Sequence, residues 1–507
     1  MIVFSFILML FYTRSSPLFF TNNWVDANAF MTLGKGIVHG LVPYKDLFEQ
    51  KGPVLYFLHA LAYIIYPNSF FCIYIFESIA MALNIIIFYK IAKLYVNNHF
   101  AYLSAFFLPA LILYSAYFMQ GDSAEEFAFP CVMLLLYNVL SNIQKQEFVF
   151  SKRILFAQGI LLGFIFFIKY TLIGAWIGFF SFYGFFLLWK KQYVKFFQAL
   201  ISSLAGFMVI TLPILVYFFI NHGLSDLYEI YFKFNMTIYS EESSILRKIV
   251  NVFVFFLLHL SYTQYIFFSL ALIGSFSIFI LNRKRNKNTV SILYIIMFIS
   301  TAFFQYIGGR FYHYYYFLII IPFSSMGLIG FAWMLEKFVV IRKNIKTIYL
   351  SATLMGIILP FTHNKNILYS KLFPTNTDQI VKSSMNTYQN SNMSAQREFA
   401  AIIKKKPNTT LLNYGHLDYG FYLAADILPN VRFFEKQNVN NERFPENQKK
   451  QDEYIKDKKV DFVVLEEKHY NSILEENYHL VAVHLQTRDG AIEKYLLYQK
   501  NNTVTLH

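Results

Sequence analysis

The stretch "FFCIYIFESIAMALNIIIFYKIAK", residues 70–93, decides the fold: twenty residues carry a single charge, Glu77, and then Lys90 and Lys93 follow. About twenty apolar residues is the length a helix needs to cross roughly 30 Å of hydrocarbon. Backbone amides find no water there, so a crossing segment satisfies its own hydrogen bonds as a helix. Lysines directly after such a run mark the cytoplasmic end.

The pattern recurs along the chain. Of 507 residues, 56% are hydrophobic, 20% aromatic and only 15% charged, which is not the balance of a soluble protein with a charged skin. The net charge of +14 does not point to nucleic acid, because most basic residues fall in short gaps between apolar runs. Five such gaps are read as cytoplasmic: Lys90/Lys93; Lys145/Lys152/Arg153; Lys190/Lys191/Lys195; Arg283/Lys284/Arg285/Lys287; and Lys337/Arg342/Lys343/Lys346. Only Glu147 and Glu336 are acidic there. Cys72 and Cys131 both lie in apolar runs, which offers neither a disulfide framework nor a zinc site.

Parity between these anchors predicts about eleven transmembrane helices. The runs are 1–20, 70–90, 99–119, 127–143, two short spans within 154–189 turning near Lys169, then 197–220, 264–282, 289–307, 313–335 and 346–362. The first run lacks a basic start and a small-residue cleavage site, so it is an anchor with a cytoplasmic N-terminus. Only thirteen residues precede Arg14, so either Arg14 snorkels to the outer headgroups or the native start lies upstream.

Two stretches do not fit as spans. Residues 21–69 are rich in charge, Gly and Pro and end in an apolar run, 54–66, expected as a helix lying in the outer leaflet. Residues 224–262 read likewise. Residues 363–395 have linker composition, and 396–507 alternate β-prone runs ("NTTLLNYG", "KKVDFVVLEE", "EKYLLYQK") with a helical pattern at 445–458. The expected architecture is therefore an all-α polytopic membrane domain over 1–362 and a small extracytoplasmic α/β domain at the C-terminus, outside the plasma membrane.

Four features carry candidate chemistry. Asp26 follows the first span, where it serves either as a helix cap or as a carboxylate at a cavity mouth that orients a hydroxyl or takes its proton. Lys45, Asp46, Glu49 and Lys51 precede Gly52 and Pro53. Lys51, at the start of an interfacial helix, is either a snorkelling anchor or a phosphate ligand, and Pro53 suits a first helical turn. The turn "MQGDSAEEFAFP" puts Asp122, Glu125 and Glu126 between apolar helices, costly unless they meet water, a partner or a ligand. Adjacent glutamates do not share a helix face, so one at most is expected to enter a cavity. The stretch "YIGGRFYHYYYFLIIIP" sets Arg310 and His313 among five tyrosines, Tyr314 included, at the outer boundary. Arg suits phosphate, and rings and hydroxyls suit sugar. Lys169 reads as a turn marker, and Glu77 as a residue of the second span.

In these features the chain resembles the C-type polytopic glycosyltransferases that use polyprenyl-phosphate-linked sugars, among them the protein O-mannosyltransferases and the aminoarabinose transferase of lipid A. The resemblance covers residues 1–362: a first span, an acidic residue opening a long outer loop, and a Gly- and Pro-containing stretch ending in "FEQKGP", where the aminoarabinose transferase type has "FEKP". It implies inverting transfer without a nucleotide sugar, from a polyprenyl-phosphate sugar donor to a glycan, lipid or protein acceptor of the cell envelope. Asp26 would match the loop carboxylate at the reacting centre, Lys51 the lysine on the lipid phosphate, and Arg310 and His313 contacts to phosphate or sugar. Glu125 is a further catalytic candidate. Some relatives use a divalent metal and others do not. The rival readings are a transporter or flippase, disfavoured by the absence of two halves with matched broken helices, and a lipid-linked glycan polymerase or ligase with a diphosphate donor.

Overall fold

The computed structural model describes residues 1–240, 244–261, 265–285, 287–310, 312–338, 345–373, 394–488 and 491–501. It divides into two compact units of interleaved segments. One comprises Met1–Tyr12, Ile75–Val216 and Ser240–Lys365; the other comprises Thr13–Tyr74, Tyr217–Tyr239 and Asn366–His507.

The first unit is helical. Its long apolar helices fall on the expected runs: the Phe71–Ala92 helix that enters it, then Ala124–Leu140, Gly174–Trp189, Tyr193–Ile220, Tyr265–Lys284, Asn288–Tyr306, Ile321–Phe338 and Ile345–Ile358. Helices or helix pairs long and apolar enough to cross a membrane number six among the described residues, or seven with the pair His313–Ile319 and Ile321–Lys337, which bends by 50°. The eleven crossings expected from parity are not established by these lengths, because Ile2–Tyr12, Asn98–Ile112 and Lys152–Phe166 are shorter. The first run stops at Tyr12 rather than residue 20, since Thr13 to Pro17 is polar and ends in a proline that disfavours helix in the residue before it. On the Tyr193–Ile220 helix, Phe197, Ile201 and Phe219 are exposed, which is costly in water and ordinary in lipid. Helices Tyr265–Lys284 and Ile321–Phe338 touch through glycines: a Cβ on Gly274 would stand 2.4 Å from the Gly327 nitrogen. The chain is a multi-pass membrane protein.

The second unit joins the segment after the first helix to the C-terminal domain. The Val25–Val38 and Pro53–Ile65 helices pack so closely that a Cβ on Gly34 would lie 2.6 Å from the Ala60 nitrogen. The Pro53–Ile65 helix is the expected short one, with Gly52 at its N-cap and Pro53 in its first turn, where the missing N–H costs nothing. Residues 227–239 wind as a π-helix. The C-terminal domain has a four-stranded sheet, β1 (Leu411–Asn413), β2 (Phe462–Glu466), β3 (Tyr478–Arg488) and β4 (Ala491–Lys500), in the order β1-β2-β4-β3. β1 pairs parallel with β2, and the other neighbours are antiparallel. The β2 side chains are buried throughout. Phe48 lies among Phe433, Phe444 and Phe234, with ring centroids 5.1–5.3 Å away. The linker expected at 363–395 falls largely on residues outside those described.

Candidate active site

Asp26 lies in the first turn of the Val25–Val38 helix, where unpaired backbone N–H groups favour a negative charge. It is not the cap. Trp24 holds that position and makes no side-chain cap bond. The Asp26 carboxylate instead accepts from the Lys51 ammonium, Oδ2 to Nζ 3.1 Å. Both side chains keep partial contact with the outside, 26% for Asp26 and 14% for Lys51.

The backbone at Lys51 is held from several sides. Its N–H donates to Glu49 Oε2 at 2.7 Å, and its carbonyl accepts from the Tyr44 hydroxyl at 2.7 Å. The Tyr56 hydroxyl stands between that carbonyl, at 2.9 Å, and the Glu49 carboxylate. Asn235 of the π-helix donates to the Gln50 carbonyl at 2.8 Å. Phe48 N donates to the Arg432 carbonyl at 2.9 Å, and Gln437 Nε2 donates to the Phe48 carbonyl at 3.1 Å. Burial opposes the Lys51 charge, but Asp26 and Glu49 overcome it and hold the ammonium pKa above its ordinary value. The lysine is a cation over the whole physiological range, and an ammonium has three N–H donors, of which Asp26 takes one.

The C-terminal domain supplies two carboxyls that the sequence did not single out. Thr32 Oγ1 donates to Asp418 Oδ2 at 2.6 Å, while Gly420 N and Asn413 Nδ2 donate to Asp418 Oδ1 at 2.8 and 3.2 Å. Glu435 accepts from Asp418 N at 2.6 Å and from Gln437 Nε2 at 3.2 Å. Burial, then the charges of Asp418 and Glu49, push the Glu435 pKa well above the carboxylate range. Lys35, three residues beyond Thr32 on the same helix, pairs with Asp426 at 2.5 Å. In sequence, Asp418 and Glu435 look like loop acids. Their only signal is aromatic company, "GHLDYGF" and "RFFEKQ", unusual around an exposed carboxylate.

The other unit gathers a separate cluster. Glu125 and Glu126 are both buried, and each has its own partners. Glu125 Oε1 accepts from Lys169 Nζ at 2.7 Å and from Gln305 Nε2 at 3.1 Å. Lys169 Nζ lies 3.9 Å from the Tyr315 ring centroid and 5.5 Å from that of Tyr314. Asp122 N donates to Glu77 Oε1 at 2.7 Å and to Glu126 Oε2 at 2.8 Å. Lys169, read from sequence as a turn marker, is thus half of a buried ion pair reaching forty-four residues back. Arg310 and Tyr314 are half-buried and His313 exposed, in the turn where the short His313–Tyr315 helix begins. The structure therefore brings Asp26 to Lys51 in one unit and Glu125 to Lys169 and Tyr314 in the other, where Arg310 and His313 also lie. Among the described residues no three His, Cys, Asp or Glu side chains gather so as to hold a metal ion.

The fold is similar to that of a solved membrane protein, seen in two states. ArnT from Cupriavidus metallidurans bound to undecaprenyl phosphate superposes with a TM-score of 0.59 at 11% identity, over 98% of this chain and 97% of that one. The same protein in its apo state gives 0.57 at 11% identity, over 98% and 96%. The archaeal oligosaccharyltransferase AglB from Archaeoglobus fulgidus gives 0.48 at 12% identity, over 99% of this chain and 74% of that one. At these identities the likeness is one of fold. Residues 50–217 match the family of dolichyl-phosphate-mannose-protein mannosyltransferases, beginning one residue before Lys51. No curated protein sequence matches the chain significantly.

Proposed function

We propose that this protein transfers a hexose or pentose, with inversion, from a polyprenyl-phosphate donor to a cell-envelope acceptor on the outer face of the plasma membrane. The observation that carries the reading is the Asp26–Lys51 pair, 3.1 Å apart, partly open, and fixed by a loop whose backbone is hydrogen-bonded on several sides. The fold likeness to ArnT, whose structure holds undecaprenyl phosphate, and the mannosyltransferase match over 50–217 support the donor class.

In this mechanism the acceptor hydroxyl attacks the anomeric carbon as the bond to the lipid phosphate breaks. Lys51 turns its two remaining N–H groups to the departing phosphate and stabilises the charge that collects there. Asp26 accepts a hydrogen bond from the attacking hydroxyl and takes its proton, a role worth about 100-fold or more in rate. Because the two groups adjoin, acceptor and donor are bound at one opening, the hydroxyl on the face of the anomeric carbon opposite the phosphate, which removes part of the entropic barrier. Arg310, His313 and Tyr314 are assigned to donor binding and Glu125 to a supporting catalytic role. No step is routed through a metal.

The test is Asp26→Asn in purified protein reconstituted with a labelled polyprenyl-monophosphate sugar. Transfer should fall by about 100-fold or more with thermal stability unchanged; full activity would remove Asp26 from the mechanism. Running a diphosphate donor in parallel separates this enzyme from a glycan ligase, and label that crosses the membrane without covalent transfer would indicate a transporter.

A further inference from the structure

Seven residues before Lys51, Tyr44 holds a φ of +69°, in the left-handed region that a bulky L side chain rarely enters. It does so fully buried, against the rings of Tyr56, Phe218 and Tyr231. Strain of this kind persists only where neighbours hold it, and it gathers where geometry matters to function. Hydrogen bonds hold Tyr44 on three sides. Its N–H donates to the Leu47 carbonyl at 2.8 Å, its hydroxyl donates to the Lys51 carbonyl at 2.7 Å, and its own carbonyl accepts from Arg432 Nε at 3.1 Å.

The first two of these bonds are local, and the third reaches in from the C-terminal domain. Arg432 grips two further points around the same stretch. Its carbonyl accepts from Phe48 N at 2.9 Å, and its Nη2 donates to Asp226 Oδ1 at 3.2 Å. Asp226 directly precedes the π-helix whose Asn235 donates to the Gln50 carbonyl. A guanidinium offers separate N–H groups to Tyr44 and Asp226 in one plane, which the single nitrogen of an ammonium does not match. Without the Nε bond a buried carbonyl loses its partner at the residue whose φ is strained. The peptide then turns toward an ordinary φ, the Tyr44 hydroxyl follows, and the Lys51 carbonyl loses a donor. The Arg432 side chain is itself 40% exposed, so it can be replaced without opening the core.

We propose that Arg432 is a positioning residue for the donor site: it locks the strained Tyr44 backbone and, through the Tyr44 hydroxyl, fixes the Lys51 backbone and with it the place where the ammonium meets the lipid phosphate. This role rests on the one given to Lys51, and it makes the C-terminal domain a determinant of donor affinity. Glu49 and Tyr56 hold the Lys51 backbone as well, so loss of Arg432 loosens the loop rather than unfolding it.

The test is a double-mutant cycle in the full-length protein in nanodiscs, read as binding of undecaprenyl phosphate. Arg432→Gln, Lys51→Gln and the double variant are compared with wild type, with hydrogen exchange over residues 44–51 and thermal unfolding alongside. Arg432→Gln should weaken binding about three- to tenfold, the worth of one hydrogen bond, and raise exchange in 44–51 with the melting temperature little changed. In the Lys51→Gln background the same substitution should cost nothing further, because Arg432 acts through Lys51, whereas a merely structural staple would weaken both backgrounds alike. Arg432→Lys, which keeps a cation at Asp226 and gives up the bond to Tyr44, takes its place in the cycle if Arg432→Gln does not fold. Wild-type affinity in the Arg432 variant, or losses that simply add in the double variant, overturns the proposal and leaves the role of Lys51 standing. Wild-type affinity in Lys51→Gln overturns the donor role itself, and the proposal with it.

Discussion

Lys51→Gln isolates the phosphate contact. The substitution keeps most of the stem and removes the ammonium that is 3.1 Å from Asp26. A charge-assisted hydrogen bond to phosphate contributes about 1.5–3 kcal/mol. At about 1.4 kcal/mol per decade this is a loss of about 10- to 150-fold in affinity for undecaprenyl phosphate. The loss should fall toward the upper end, because the variant leaves Asp26 and Glu49 beside an incoming anion with no cation between them. Lys51→Arg restores the charge and should recover part of the binding. Since Asp26 and Glu49 hold the Lys51 pKa above its ordinary value, wild-type affinity should be flat between pH 7 and 9, provided the phosphate itself stays ionised. The assay is fluorescence-detected binding in detergent, with thermal unfolding as the control for folding. A folded Lys51→Gln protein that binds undecaprenyl phosphate within about threefold of wild type would refute the reasoning.

Three further outcomes follow from the packing. Burial holds the Glu435 pKa above its ordinary value in the folded state, so the folded protein binds this proton more tightly than the unfolded chain and stability falls as pH rises above about 4.5, by at most about 1.4 kcal/mol per unit. Glu435→Gln should flatten that slope, read as the pH dependence of hydrogen-exchange protection in β1 and β2; an unchanged slope would show that Glu435 is not the group responsible. Lys169→Met leaves Glu125, whose side chain is 2% exposed, without its cation, and should cost about 3–5 kcal/mol, seen as a large fall in thermal stability that Glu125→Gln in the same chain partly reverses. Gly34→Val would drive a side chain into the Ala60 backbone and should cost about 1–3 kcal/mol in the same measurement, whereas Gly40→Ala, with nothing within 4 Å of the added carbon, bears only the strain of its positive φ.

The membrane helices were legible because lipid imposes one rule on every residue of a run, and length with flanking lysines is enough to find it. The Pro53–Ile65 helix was expected at 54–66, β1 and β2 lie within two of the runs picked out as β-prone, and β4 covers the third. β3 was missed: its alternation in "YHLVAVHLQTR" includes two histidines and a glutamine that dilute the apolar signal. The site was half legible. Asp26 and Lys51 lie within one stretch between apolar runs, and Gly52 and Pro53 beside Lys51 announce the start of a helix. Lys169 looked like a turn marker because its meaning depends on Glu125, and Asp418 depends on Thr32 across 386 residues. Neither partner is visible in local pattern, since burial and pairing are set by the tertiary fold. Arg14, read as a snorkelling residue or a sign of an upstream start, is buried and lines a cavity shared with residues 66–71 and the C-terminal domain, which no local pattern announces.

The central claim is that the lipid phosphate leaves from beside Lys51 while Asp26 holds the incoming hydroxyl. The measurement that meets it most directly is a cryo-electron microscopy structure of the protein in nanodiscs with undecaprenyl phosphate. The account predicts phosphate density within about 3 Å of Lys51 Nζ, with Asp26 Oδ2 still at the same opening. Phosphate density resting elsewhere, with the Asp26–Lys51 pair closed and undisturbed, would contradict it.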